Sequence, residues 1–207
     1  MARIDDYKRA LEIAEEELSR RNPLLVCRLS GASFAEKEGE PDTIELKFLN
    51  RIFAITWPDL LFRRDPCGEI PVKQKILMLH YLIGSGQEGL TGELIAFQDV
   101  PSAKFYLDAF NKRVKYPLVN TFEKTPEKLF VSAKELFEAV PSSVGDFSVR
   151  IQALPKIPIT LAIWRGDEEF PSDGAVLFDS SIKNMLSAED IVELASMVVY
   201  PLLSKNR

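Results

Sequence analysis

The sequence predicts a single α+β domain over residues 1–207, with an antiparallel sheet of about five strands and helices packed on it. Two observations favour this class over a doubly wound parallel sheet. Strand-like segments come in hairpin-like groups, and helix-like segments lie between those groups. No internal repeat is visible in the sequence. The chain has 207 residues, and chains of this size bury roughly 70% of their unfolded surface, so a sizeable core is expected.

The N-terminal segments alternate between helical and strand periodicity. Apolar residues at every seventh position from Ile4 to Leu18 predict an amphipathic helix that ends before Pro23. The segment from Phe34 to Pro41 is rich in Glu and Gly and is expected to be an exposed loop. From Thr43 to Thr56 apolar and polar residues alternate, which predicts a hairpin with a short turn.

The second predicted helix runs from about Val72 through Leu82 and is apolar nearly all round in its second half, so it should lie inside the molecule. A glycine-rich segment, Gly84 to Gly92, ends it and is expected to be a mobile connection. Its first three glycines match the GxGxxG letters of a dinucleotide-binding turn. That turn requires a strand before the glycines, whereas a helix precedes them here.

Two further helices are expected in the middle of the chain. One starts at Pro101 and ends at or before Tyr116, because the residue before a proline disfavours helical backbone. The next begins with Thr125 as N-cap and Pro126 as first helical residue, and its apolar stripe continues to Val140.

The C-terminal third contains the clearest strands. Residues 147–154, 157–164 and 175–178 have strand character, and the second of these is apolar on both faces, which predicts a central strand. Ser187 is expected to cap the last helix, with Asp190 as the acid of a capping box.

Composition excludes several classes of protein. A net charge of −5 opposes binding to nucleic acid, and no apolar stretch approaches the ~20 residues that span a bilayer. No secretory signal is visible at the N-terminus. Cys27 and Cys67 form neither a CxxC pair nor a cysteine framework, so we expect two free thiols and a cytoplasmic protein.

His80 is the single histidine of the chain and shares a helical face with apolar residues. One interpretation is a hydrogen-bonded core histidine. The other is an axial ligand or hydrogen-bond donor to a large flat cofactor, for which a tetrapyrrole or corrinoid is the expected class. His80, Tyr81 and Trp164 are the candidate cofactor-binding residues.

Three consecutive acids, Asp167 to Glu169, stand between Trp164 and Phe170. If both rings are buried, they would hold the acids on a rigid, partly desolvated platform. Hard cations prefer several carboxylates, so Asp167, Glu169 and Asp173 are candidate metal ligands or acid-base groups. The alternative is a solvated hairpin tip, with Asp179 as a local cap or turn residue.

Two stretches resemble a known family: Leu79-His80-Tyr81-Leu82, and a later run made up of Leu154-Pro155 to Pro158, Trp164 to Pro171, Leu177-Phe178-Asp179 and Leu186. Both are similar to Domain of Unknown Function 3786, a family of anaerobic bacteria and archaea, from about the His80 helix to the C-terminus. No enzyme activity is established for this family, so the resemblance implies none for this chain. Some members look to be fused to cysteine-rich iron-sulfur segments, which implies an anaerobic redox or corrinoid setting. This chain lacks those cysteines, so the implied role is to assist a cofactor-dependent system without carrying its cluster.

These observations leave three functional hypotheses. The first is an accessory or ligand-binding protein with a pocket between the His80 helix and the sheet. The second is a carboxylate-based divalent-metal or acid-base enzyme. The third is an interaction module in which the acidic hairpin meets a basic partner protein. Small-molecule ligands and partner proteins are both expected, and nucleic acid and membrane are not.

Overall fold

The α+β class is confirmed, but the strands form two antiparallel sheets, of four and five strands, where one sheet was expected. The computed structural model describes residues 4–36, 38–64 and 68–206. These residues divide into two compact units. The first unit extends to Gly89 and also contains Leu154–Lys156 and Asn184–Leu186, and the second unit contains the remainder. A single domain over residues 1–207 stays a prediction.

The first unit combines three helices with the four-stranded sheet. Its elements are α1 (Ile4–Ser19), α2 (Pro23–Ser30), β1 (Ser33–Ala35), β2 (Thr43–Phe48), β3 (Arg51–Thr56), β4 (Phe62–Arg64) and α3 (Val72–Gly84). The sheet follows the order β1, β2, β3, β4. The predicted hairpin is β2 and β3, in which Phe48 pairs with Arg51 across a two-residue turn.

Three short elements of the first unit, α2, β1 and β4, were not predicted, and β4 pairs with β3. Pro23 does not only end the preceding helix; it occupies the first turn of α2, where its missing N–H costs nothing. Asn22 caps this helix by accepting a hydrogen bond from the Leu25 N–H at 3.0 Å. Strand β1 lies partly inside the predicted Phe34–Pro41 loop. The loop prediction is therefore wrong for Phe34 and Ala35, which pair with β2.

Helix α3 is the core element of the first unit, as its apolar sequence predicts. Its six most buried residues are Ile76, Leu77, Met78, Leu79, Tyr81 and Leu82. Cys27 in α2 is a free, buried thiol, and burial raises its pKa to about 11. Cys67 lies outside the described residues. The cytoplasmic location inferred from the two cysteines stays a prediction.

The second unit combines the five-stranded sheet with the remaining helices. Its elements are β5 (Leu94–Ala96), α4 (Leu107–Phe110), α5 (Tyr116–Phe122), α6 (Glu127–Phe137), β6 (Val140–Pro141), β7 (Phe147–Leu154), β8 (Ile157–Trp164), β9 (Asp173–Asp179) and α7 (Ala188–Lys205). The sheet follows the order β5, β9, β8, β7, β6. Strand β8 is therefore central, as predicted, and residues 157–163 are all buried.

The prediction for the third helix is wrong at both ends. Pro101 lies in a turn between two 3₁₀ segments, and α4 begins only at Leu107. Helical backbone then continues past Pro117 to Phe122, because a π-helical turn at Asn111–Lys115 comes first. Such wide turns absorb the missing N–H and the bulky ring of a proline without ending the helix.

The fourth helix is shorter than predicted, whereas the last helix starts as predicted. Helix α6 ends at Phe137, because Glu138 adopts a left-handed conformation with φ of 57°, and Val140 belongs to β6. Ser187 caps α7 by accepting the Asp190 N–H at 3.1 Å, and the Asp190 carboxylate accepts the Ser187 N–H. Among the helices of the described residues, none has both the length and the apolar content to cross a bilayer.

Candidate functional site

The segment between β8 and β9, residues 165–172, is a closed turn and is called the acidic loop here. Trp164 pairs with Asp173 where the two strands end. Inside this pair, the Gly166 N–H donates to Ser172 Oγ at 3.0 Å, and the Asp167 N–H donates to the Phe170 carbonyl at 2.9 Å. The backbone of the loop is therefore fixed by its own hydrogen bonds.

Asp167 organises the tip of the acidic loop. Its Oδ1 accepts the Phe170 N–H at 2.7 Å and the Glu169 N–H at 2.9 Å. These two main-chain donors hold the pKa of Asp167 below its ordinary value. An aspartate side chain is short enough to bond the backbone two or three residues further on, and here it stabilises the turn.

The residues at the base of the loop anchor it to the sheet. Gly145 has φ of 66°, and a Cβ there would lie 2.9 Å from the Trp164 ring, so the ring packs directly on this glycine. The Arg165 N–H donates to Asp146 Oδ2 at 2.9 Å. The Arg165 guanidinium lies 4.7 Å from the centre of the Phe147 ring and also forms an ion pair with Glu127.

The acidic loop presents three carboxylates and one aromatic ring to solvent, and the Asp167 carboxylate is also bonded to the backbone. Glu168 and Glu169 are exposed, and 67% of Phe170 is exposed. Trp164 is 36% exposed. The platform of two buried rings is therefore not formed, because Phe170 projects outward with the two glutamates.

Two of the candidate metal ligands are already engaged by groups of the protein. Asp167 is hydrogen-bonded within the turn, and Asp173 pairs with Lys115 at 3.0 Å. Burial alone would raise the pKa of Asp173, but hydrogen bonds from Gly174 and Lys115 outweigh it and lower that pKa. Among the described residues, no three His, Cys, Asp or Glu side chains are grouped so as to hold a metal ion.

His80 and Tyr81 lie side by side in α3 but differ in exposure. His80 is half-buried, whereas Tyr81 is fully buried. The Tyr81 hydroxyl donates to the Ser30 carbonyl at 2.5 Å and accepts the Lys156 N–H at 3.0 Å. Burial raises the pKa of Tyr81 to about 12. Tyr81 therefore connects three segments of the first unit, while Trp164, the third candidate cofactor residue, belongs to the second unit.

The glycine-rich segment is held in place at several points, contrary to the mobile connection expected. A Cβ on Gly84 would lie 2.1 Å from the Met185 carbonyl oxygen, so only glycine fits there. Lys156 Nζ donates to the carbonyls of Gly86 and Glu88 at 3.0 and 3.3 Å. This close approach of α3 to residue 185 involves partners about 100 positions apart, which no local pattern indicates.

Asp179 fixes the other end of that segment within the second unit. Its carboxylate accepts the N–H groups of Thr91 at 3.0 Å, Gly92 at 2.7 Å and Ser181 at 3.0 Å. Burial alone would raise the pKa of Asp179, but hydrogen bonds from Ser181, Thr91 and Gly92 hold it well below its ordinary value. Asp179 is thus a turn residue, as one interpretation of the sequence proposed.

The described residues of the second unit line at least two open concavities, and His80 is not among the lining residues of these two. One, of about 450 Å³, is lined by Pro141, Ser142, Ser143 and Arg150. The other, of about 410 Å³, is lined by Glu127, Lys128, Val131, Ser132, Lys205 and Asn206. Arg150 was not singled out by the sequence, because one arginine in an alternating strand is ordinary.

Comparison with known families connects these features to a sequence family. A family model described as Domain of unknown function (DUF3786) matches residues 22–200. The chain belongs to this family. The DUF3786 match includes both α3 with His80 and the whole acidic loop, and it confirms the resemblance seen in the sequence. Comparison with curated proteins and with solved structures found no match to this chain.

Proposed function

We propose that this DUF3786 protein is an accessory protein that binds a basic segment of a partner protein through the acidic loop. The observation that carries this proposal is that the residues of the loop have different structural roles. Asp167 bonds the backbone and fixes the turn, while Glu168, Glu169 and Phe170 face solvent. Such an arrangement has the parts of a recognition surface: an aromatic anchor with charged neighbours.

The fixed backbone favours binding on energetic grounds. A flexible loop loses conformational entropy when a partner orders it, and a loop already held by hydrogen bonds loses less. The acidic loop is tied at Gly166 and Asp167 and anchored through Trp164 and Arg165. Burying Phe170 against a partner would contribute roughly 1.5–3 kcal/mol.

The charge of the loop specifies the kind of partner. Within the described residues, no ion pair is formed by Glu168 or Glu169, and the chain carries a net charge of −5. Two adjacent carboxylates repel each other, and lysine or arginine residues of a partner would relieve that repulsion. Long-range attraction would also increase the association rate with a basic surface.

The test combines capture with quantitative binding. Tagged wild-type protein is used to capture partners from the native host, and the affinity of each captured protein is measured by calorimetry. We expect the Glu168→Lys/Glu169→Lys double variant and Phe170→Ala each to bind about tenfold more weakly or worse. Affinity for wild type should fall as salt concentration rises.

The matched control is Glu36→Lys/Glu38→Lys, which changes the net charge equally but lies in the first unit. All variants should keep wild-type stability within about 0.5 kcal/mol, because their side chains are at the surface. Equal binding by the acidic-loop variants and by wild type would refute the proposal, and so would the same loss in the control.

A second candidate function is the binding of a tetrapyrrole or corrinoid at His80. The observation that favours it is that His80 is half-buried, unlike the fully buried Tyr81 beside it. In this role the imidazole would be an axial ligand. Wild type and His80→Ala are titrated with haem and with cobalamin; absence of a saturable spectral change, or the same change in both proteins, removes this candidate.

The contacts of Asp167 and Asp173 do not favour a carboxylate-based enzyme. Asp167 is occupied by two main-chain donors, and Asp173 is paired with Lys115. Neither group is therefore poised to exchange a proton near neutral pH, since hydrogen bonds to the charged form lower a carboxyl pKa.

A further inference from the structure

The concavity of about 450 Å³ beside β6 and β7 has the composition of an anion site. Its four described lining residues are Pro141, Ser142, Ser143 and Arg150. They include one cation and two hydroxyl groups and no carboxylate. It lies where the short edge strand β6 pairs with β7, with Val140 opposite Arg150.

Arg150 presents a positive charge that no described residue pairs with. Along β7, Val149 and Ile151 are buried and Arg150 between them is exposed, as the alternation of a strand requires. In the part of the chain that the structure describes, Arg150 takes part in no ion pair and no side-chain hydrogen bond. A guanidinium group offers a planar fork of N–H donors that matches the oxygens of a phosphate.

The two serines are held beside this charge by the turn that carries them. The Ser142 N–H donates to the Ser148 carbonyl at 3.1 Å, and the Val144 N–H donates to Ser148 Oγ at 3.0 Å. Both bonds tie the turn to β7, the strand that also carries Arg150. The hydroxyls of Ser142 and Ser143 are not used in these bonds, and both residues line the concavity.

We propose that this concavity binds the phosphate group of a small molecule. The arginine fork would donate to two phosphate oxygens, which is the geometry that guanidinium groups favour, and the serine hydroxyls would donate to a third. The volume lies within the range of small-molecule sites, so it accommodates an organic group attached to the phosphate. This site is distinct from the acidic loop and does not depend on the proposed protein partner.

The experiment is a titration of ¹⁵N-labelled protein followed by amide chemical shifts. Inorganic phosphate and glycerol 3-phosphate are added at constant ionic strength, with sodium chloride as the reference. We expect saturable shifts confined to residues near 141–144 and 148–150. A tighter midpoint for glycerol 3-phosphate would identify a phosphate ester as the source, and equal midpoints would identify free phosphate; both support the site.

Variants test which residues carry the binding. Arg150→Gln should weaken phosphate binding by about tenfold or more, and Ser143→Ala by roughly threefold. Arg51→Gln, an exposed arginine of the first unit, removes the same charge and should leave the titration unchanged. Non-saturable shifts, equal shifts with sodium chloride, or wild-type binding by Arg150→Gln would overturn the proposal. The thermal midpoint of each variant checks that the fold is retained.

Discussion

Replacing Gly84 by alanine separates two physical effects that predict opposite outcomes. Gly84 is the last residue of α3, and alanine favours helix over glycine by up to about 1 kcal/mol. Propensity alone therefore predicts a more stable protein. Packing predicts the reverse, because the new Cβ would lie 2.1 Å from the Met185 carbonyl oxygen and 2.9 Å from its carbonyl carbon.

The magnitude follows from which atoms must move. Ordinary van der Waals contact of a Cβ begins at 3.4 Å, so the two backbone segments must separate by about 1 Å. No side-chain rotation relieves this contact, because both partners are backbone atoms or fixed to them. Overpacking of this kind costs about 1–3 kcal/mol, which exceeds the gain in propensity. We expect Gly84→Ala to lower the free energy of unfolding by about 1–2 kcal/mol.

The assay uses the two tryptophans of the chain, Trp57 in the first unit and Trp164 in the second. In a Trp164→Phe background, fluorescence reports the first unit through Trp57, so urea unfolding measures the unit that contains Gly84. The midpoint should fall by roughly 0.5–1 M urea.

Gly86→Ala is the matched control, because a Cβ on Gly86 has no atom within 4 Å. Its midpoint should stay close to that of the background protein. Equal stability of Gly84→Ala and Gly86→Ala would contradict the close approach of α3 to Met185.

Three other substitutions test the remaining contacts. Tyr81→Phe leaves the Ser30 carbonyl and the Lys156 N–H without their partner and should cost about 1–3 kcal/mol in urea unfolding. Folding raises the pKa of Tyr81 from 10 to about 12, so the stability of wild type should fall as pH rises through that interval. Tyr81→Phe should not show this fall. Parallel stability profiles of the two proteins against pH would contradict the raised pKa. Asp179→Asn should cost at least about 2 kcal/mol at neutral pH, and its deficit should shrink below pH 3.8, where the lowered pKa no longer favours the folded wild type. A deficit in urea unfolding that is independent of pH would argue against a charged Asp179. Asp167→Glu keeps the charge of the acidic loop but places the carboxylate too far out for its two hydrogen bonds to the turn. Partner binding measured by calorimetry should therefore weaken. Unchanged affinity would show that charge alone is recognised.

The elements that the sequence predicted well are those whose own composition decides their environment. Strand β8 is apolar on both faces, and only a central position in a sheet buries both faces. The second half of α3 is apolar all round, and it lies in the core. Ser187 and Asp190 form a capping box whose two partners are three residues apart, so its signal is entirely local.

The errors occur where a proline or a glycine has two structural uses. Pro23 begins a helix instead of only ending one, because a first-turn proline needs no N–H. Pro117 lies within helical backbone because the preceding turn is π-helical. Gly84 resembles a flexible linker in the sequence, but its role is steric and depends on a residue about 100 positions away. Sequence periodicity contains neither kind of information.

The charge pattern of the acidic loop is visible in the sequence, but the roles of its individual residues are not. Three acids in a row give a charge pattern, but side-chain length decides which of them stays available. The aspartate carboxylate reaches backbone donors two and three residues ahead and becomes part of the turn. The glutamates at 168 and 169 have one more methylene and face solvent. The order Asp-Glu-Glu-Phe thus separates the residue that builds the turn from the residues beside it, and the proposed partner binding depends on this separation.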